Sequence, residues 1–219
     1  MRTLAALLIA LPLAAAAQSG PPPEAPPATW AAPPAQPPPP YPPVYAPFAP
    51  LRDSWYIGIG LGGGVGRARD DIGSFKLSDG MTDPITVLVN FKVGATLTPS
   101  LLVGLDISGF RTAGTDPGGS GDIANQITNY DAMATWFPME RGLFLRGGVG
   151  VSRFTSELTG YATANFTGVN ATVGGGYALW LGRSFNLTLN LDFSAQSYNS
   201  STGPSSSSYT ALWVGFDWY

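Results

Sequence analysis

The stretch Tyr209-Thr210-Ala211-Leu212-Trp213-Val214-Gly215-Phe216-Asp217-Trp218-Tyr219 decides how this chain is read. Every second residue, Leu212, Val214, Phe216 and Trp218, is large and apolar. The other phase, Ala211, Trp213, Gly215, Asp217 and Tyr219, is mixed and carries a charge. Successive strand side chains point to opposite faces, so the segment predicts a long β-strand with one fatty and one partly polar face. An aromatic-rich terminal strand, in a chain that opens with an export signal, is expected to close a transmembrane barrel against the first strand.

The same alternation recurs upstream. It predicts strands over 55–65, 85–97, 101–111, 126–137, 143–154, 166–181 and 185–198, which with the last strand makes eight. The stretch 185–198 is the cleanest: Phe185, Leu187, Leu189, Leu191 and Phe193 stand against Asn186, Thr188, Asn190, Asp192 and Ser194. In 55–65 the second phase is Tyr56 followed by glycines. Connections alternate in length. Those at 98–100, 138–142 and 181–184 are tight, whereas 67–84, 112–125, 155–165 and 199–208 are longer and rich in Gly, Ser, Asp and Thr. Short turns on one side, long loops on the other and strands of about 10 residues characterise outer-membrane barrels. An even strand count places both ends on the short-turn, periplasmic side and the long loops outside. Trp55, Trp136, Phe144, Trp180, Phe185 and Trp218 are then expected at the periplasmic rim, and Phe110, Phe154, Phe166, Tyr198 and Tyr209 near the outer rim.

A soluble eight-stranded barrel would turn the apolar phase inward. An eight-stranded interior is only just wide enough for side chains to fill, and Leu, Ile, Phe and Val from every strand would overfill it. Glycine and small polar residues suit that space better, so the apolar phase faces lipid. The fold class is all-β: an antiparallel up-and-down transmembrane barrel over 53–219. This pattern resembles the OmpA/OmpX/OmpW-type eight-stranded outer-membrane barrels of Gram-negative bacteria, over residues 55–219. The resemblance implies outer-membrane lipids, lipopolysaccharide and the barrel assembly machinery as partners. The chain departs from those families in two ways. A proline-rich segment precedes the barrel, instead of a peptidoglycan-binding domain following it. The last lipid-face aromatic is Trp218, which leaves Tyr219 to turn inward or fray.

The N-terminus reads as an address. Met1-Arg2 is a basic start, residues 4–13 are apolar, and Ala15-Ala16-Ala17 is a small-residue cleavage site, so 1–17 is expected to be a cleaved signal peptide. Residues 18–52 follow as a proline-rich tether. Fifteen of the thirty residues 21–50 are proline, which removes donors, fixes φ and keeps the segment out of helix and sheet. A proline-binding periplasmic partner for this arm is the sharper reading, and a spacer the plainer one. Hydrophobic residues make up 44% of the chain and charged ones 11%, well under the roughly 25% of ordinary soluble proteins. A net charge of −3 argues against nucleic acid.

The chemistry available is narrow. The chain has no His and no Cys, so a Ser nucleophile would need Lys76 or Lys92 as its base. No enzyme and no cofactor is expected. Gly58-Ile59-Gly60-Leu61-Gly62-Gly63 matches a nucleotide-binding string, but no helix follows it and its glycines fall on the inward phase of a strand. That inward phase also carries Lys92, Asp106, Asp131, Arg146, Asp192 and Asp217. Charges inside a membrane barrel are expensive unless paired or hydrated. They are expected to form a network that plugs the lumen; a narrow path or gate for ions or small solutes is the alternative. Asp70, Asp71, Asp79 and Asp83 in the first long loop are candidates for a weak cation site bridging lipopolysaccharide phosphates, with a solvated acidic loop as the plainer reading and no metal assigned.

Overall fold

The computed structural model describes residues 52, 54–118, 121–158, 163–199 and 203–219. The expected signal peptide and the expected tether, Arg52 excepted, lie outside the described residues. The elements are β1 (Trp55–Arg69), β2 (Ser74–Lys76), β3 (Thr82–Thr98), β4 (Leu101–Thr115), β5 (Asp122–Trp136), β6 (Gly142–Leu158), β7 (Ala164–Trp180), β8 (Phe185–Tyr198) and β9 (Ser206–Trp218). Pairing runs β1-β3-β4-β5-β6-β7-β8-β9, and β9 returns to β1 from Ile57↔Trp218 to Arg69↔Ser206. This closes an eight-stranded antiparallel barrel, with β2 added to the loop end of β1 through Arg67↔Lys76 and Arg69↔Ser74. Tight turns join β3 to β4, β5 to β6 and β7 to β8. The second of these places Gly142 at φ 64, a backbone state that glycine adopts without strain.

Alternation sets which way each side chain points. Leu189 is 51% exposed while its neighbour Asn190 is 0% exposed, the reverse of a soluble protein. Leu61, Val89, Leu105, Val149, Val173 and Leu212 repeat that outward exposure around the wall. A belt of exposed aliphatic side chains around a polar interior is the arrangement a hydrocarbon solvent selects.

The interior is layered. At the loop end, Ala68, Leu77, Leu88, Phe110, Ile127, Phe154, Tyr198, Tyr209, Ala211 and Trp213 form one buried cluster. At the turn end, Tyr56, Leu102, Phe137, Phe144 and Ala178 form a second, with Tyr219 packed against it. The sequence sets the rims by height alone; the structure adds the direction in which each ring points. Phe110, Phe154, Tyr198 and Tyr209, with Phe166 packed on them, line the inside of the loop end and not its lipid face; Phe144 likewise points inward. Their phase settles it: Phe110 follows Asp106 and Ser108 on the inward face of β4, and Tyr209 precedes Ala211 and Trp213 on that of β9. Trp55, Trp136 and Trp218 do remain outside, at the turn end.

Strand lengths also differ from expectation. The barrel strands run 13 to 17 residues, against the roughly 9–11 that cross a bilayer. β1, β4 and β6 continue past the apolar belt through Arg69, Thr115 and Leu158, so the longer connections are shorter than the sequence indicates. The first of them folds back as β2 and sets Leu77 into the loop-end cluster, its amide donating to the Gly66 carbonyl at 3.0 Å.

Arg52 belongs to the barrel and not to the tether. It is 3% exposed, its guanidinium lies 3.4 Å from the Phe137 ring centre, and it donates to the Glu140 carbonyl at 2.9 Å. Trp180 and Tyr219 flank it at 5.0 and 5.7 Å. Tyr219 therefore turns inward at the mouth. Burial pushes the Arg52 guanidinium below its ordinary value, against the opposing pull of Tyr219 and Asp217. Burial, helped by Asp217, pushes the Tyr219 phenol up to about 12. Deleting residues 21–50 is expected to leave barrel insertion and thermal midpoint unchanged. Arg52→Ala in the full chain should lower unfolding stability in liposomes by about 1–2 kcal/mol through the lost ring contact and carbonyl bond. Equal midpoints for Arg52→Ala and the parent would rule out the clamp.

Candidate functional site

The lumen between the two clusters holds every charged residue expected there. Lys92 comes from β3, Asp106 from β4, Asp131 from β5, Arg146 from β6, Asp192 from β8 and Asp217 from β9, and all six are buried. Strand register brings them to one layer: Lys92 lies opposite Asp106, and Asp106 opposite Asp131. The pairing is specific. Arg146 binds Asp106 through Nη2 and stands 3.6 Å from Asp192 Oδ1 through Nε. Lys92 Nζ is 2.8 Å from Asp217 Oδ1. Among the described residues Asp131 pairs with no cation; Asn170 Nδ2 donates to it, and so does Thr172 Oγ1 at 3.0 Å.

Neutral groups complete the layer. Asn90 Nδ2 donates to Asp106, and Trp213 Nε1 donates to Asp192 Oδ2 at 2.7 Å. The Trp213 ring lies 5.2 Å from Lys92 Nζ and 5.3 Å from the Arg146 guanidinium carbon, where its π-face attracts both cations. Above it, Asn129 Nδ2 reaches Ser194 Oγ at 2.9 Å and the Tyr209 hydroxyl at 3.1 Å, and Tyr209 also bonds Ser108 at 3.0 Å. Two cations and several amide and hydroxyl donors thus serve four carboxylates. Such a network is stable inside a low-dielectric wall only when its members satisfy one another. The cavity beside it, lined by Tyr56, Lys92, Arg146 and Asp217 among others, measures about 10 Å³, close to the size of one water.

Trp213 is the member that sequence reasoning passed over, taken there only as part of a mixed phase. Its room comes from β1: a Cβ on Gly60 would sit 2.4 Å from the Trp213 ring, and one on Gly62 2.3 Å from Trp213 Cβ. The run of inward glycines beside a lone inward Trp on the closing strand is the signal that would have found it.

The loop carboxylates do not converge. Asp70 Oδ1 accepts from the Ile72 and Gly73 amides at 2.9 Å each, and Asp79 Oδ2 from the Lys76 amide at 2.7 Å. Asp71 is exposed, and Asp83 sits within β3 with φ 50. Among the described residues no three His, Cys, Asp or Glu side chains group to hold a metal ion. The expected weak cation site is therefore not assembled; two of its carboxylates hold turns instead.

Solved structures share this architecture. Ail, the attachment invasion locus protein of Yersinia pestis, solved in complex with the heparin analogue sucrose octasulfate, superposes with a TM-score of 0.55 at 12% identity, over 76% of this chain and 99% of that chain. Neisserial surface protein A superposes with a TM-score of 0.50 at 13% identity, over 75% and 96% of the two chains. The chain has the fold of the small eight-stranded outer-membrane β-barrels. No family model and no curated protein matches its sequence.

Proposed function

We propose that this chain is a resident of the Gram-negative outer membrane, with periplasmic termini and external loops, and that its role is structural or surface-interacting. The observation that carries this reading is an ion-paired layer between two buried aromatic clusters, with a cavity of about 10 Å³ beside it, which supports a lumen filled by its own side chains. A solute path would need a continuous wetted channel. The strands that continue beyond the apolar belt support a surface role, since they hold the outer connections on a rigid wall. Lipopolysaccharide, the surrounding lipids and the barrel assembly machinery are its partners in this reading, with a periplasmic protein on the proline-rich arm as a further one and no nucleic acid.

Catalysis is disfavoured by composition and placement. There is no His or Cys, Lys92 is held by Asp217, and Lys76 lies exposed on β2. The second reading, a narrow channel for ions or small solutes, draws on the excess of carboxylates over cations in the lumen layer, which favours cations. Conductance decides between the two. Purified protein, shown by heat-modifiable gel mobility to be folded, is expected to give no discrete current steps in planar bilayers. Reproducible cation-selective steps would overturn the filled-lumen reading in favour of the channel.

A further inference from the structure

On the outer wall at the loop end, one row of the sheet runs Ile85, Ala113, Ala124, Glu157 across β3, β4, β5 and β6. Two alanines between an isoleucine and a glutamate leave a trough. Above it the β3–β4 ladder is irregular. Asp83 and Pro84 oppose the single residue Gly114, between the pairs Thr82↔Thr115 and Ile85↔Ala113. Such a bulge bends its strand and re-aims a side chain. A Cβ on Gly114 would lie 2.8 Å from the Thr82 carbonyl oxygen, so the bulge is built around a missing side chain. Asp83 adopts φ 50 there, a left-handed state that a residue with a Cβ takes only where its surroundings hold it. Trough and bulge together form a cleft of about 590 Å³.

The cleft is apolar below and acidic at its lip. Ile85, Val87, Ala113 and Ala124 give the floor, while Asp83, Asp122 and Glu157 stand around it with one cation, Arg111. Asp83 enters none of the ion pairs formed among the described residues. Arg111 approaches Glu157 at 3.6 Å with both side chains about half exposed, a surface pair that an incoming cation can share. Arg153, the next outward cation on β6, is turned to Asn165 Oδ1 at 3.1 and 2.9 Å. Height decides what reaches the cleft. Twelve residues of β5 separate Ala124 from Trp136, exposed at the turn end. At about 3.3 Å per residue and a tilt of about 40°, this is roughly 30 Å along the axis, one hydrocarbon thickness. The cleft thus opens at the level of the headgroups, toward the water outside.

We propose that this cleft docks a basic, extended peptide segment of a partner protein. The methylene stems of its Lys or Arg side chains lie on Ile85 and the two alanines, and their cationic heads reach Asp83 and Glu157. Charge complementarity selects that occupant over an acidic one, and the apolar floor selects a cation on a stem over a bare metal ion. The proposal rests on the surface role given under Proposed function and names the class of partner. A conducting lumen would sink that role, whereas the titration below reads the cleft alone.

The test uses the mature chain in phosphatidylcholine nanodiscs. It is titrated with a fluorescent, end-capped Lys-Val-Lys-Val-Lys peptide, with Glu-Val-Glu-Val-Glu, and with spermidine as a cation that carries no peptide chain. The parent is expected to bind the basic peptide, and to bind it about tenfold more weakly when ionic strength rises from about 0.01 M to about 0.15 M. Asp83→Asn and Glu157→Gln are each expected to weaken binding about fivefold, and the double variant about twentyfold. Asparagine tolerates the left-handed backbone at position 83, and all variants should keep the parent's heat-modifiable gel mobility, which separates lost binding from lost folding. Asp71→Asn, which removes an exposed loop carboxylate outside the cleft, serves as control and should bind as the parent does. A parent that leaves the basic peptide unbound overturns the site, and so does a double variant that binds it as tightly as the parent. Equal weakening by Asp71→Asn and Asp83→Asn would reduce the effect to overall charge and overturn it too. Binding of the acidic peptide or of spermidine as tight as that of the basic peptide overturns the peptide partner.

Discussion

Arg146→Ala is expected to destabilise the barrel by about 3–5 kcal/mol, because removing one partner of a buried ion pair leaves the other charge unpaired in a medium that cannot solvate it. Arg146 is the hub of the lumen layer, binding Asp106 directly and approaching Asp192 at 3.6 Å. Its loss strands two carboxylates at once, in a layer that already holds more carboxylates than cations. Urea unfolding of protein folded into liposomes, followed by tryptophan fluorescence, measures the effect. The triple variant Arg146→Met, Asp106→Asn, Asp192→Asn removes the charges together and should recover most of the loss. A single variant within about 1 kcal/mol of the parent would mean that water screens these charges, an outcome that favours a wetted channel over a filled lumen.

The second large effect tests which face meets lipid. Leu189→Arg places a charge on the outward side of β8, at a cost of about 2–4 kcal/mol near the bilayer midplane. Its neighbour Asn190 points inward, donating to Thr188 Oγ1 at 2.9 Å and to the Trp213 carbonyl at 3.5 Å. Asn190→Ser gives up those bonds and should lose only about 1 kcal/mol. Asp192→Ala should fall between the two, since it frees Trp213 Nε1 from its acceptor and removes the carboxylate 3.6 Å from Arg146 Nε. Comparable damage from Asn190→Ser and Leu189→Arg in the same urea titration would reverse the assignment of faces.

How far the sequence carried is best seen along β8 and β4. In β8 the period-2 pattern is unbroken from Phe185 to Gln196, and the strand occupies Phe185–Tyr198. In β4 the pattern fades after Arg111, yet the strand runs on to Thr115. Past the apolar belt neither face meets hydrocarbon, so alternation stops reporting on a ladder that continues. For Phe110, Phe154, Tyr198 and Tyr209 the height near the outer rim was legible, but not that their rings fill the bore and pack on one another. All six lumen charges were placed on the inward face by alternation alone. Which of them pair was not legible, because pairing depends on register between strands far apart in sequence. Lys92 lies opposite Asp106 in the ladder yet binds Asp217. Arg52 and Leu77 gave no signal at all. Each acts singly, at the end of a proline-rich segment and within a loop, where no periodicity exists to expose it.

The fit of Trp213 against Gly60 and Gly62 carries a consequence for how such a chain can diverge. The volume of one indole ring is matched to missing side chains on a strand from the other end of the sequence. A side chain added at Gly60 alone would bring its Cβ to 2.4 Å from the indole, so the ring would have to shift. A larger residue at Gly60 is thus best accommodated together with a smaller one at Trp213. Descendants of this barrel should therefore exchange bulk between first and last strands as a linked trait, keeping their sum nearly constant while the outer connections vary freely.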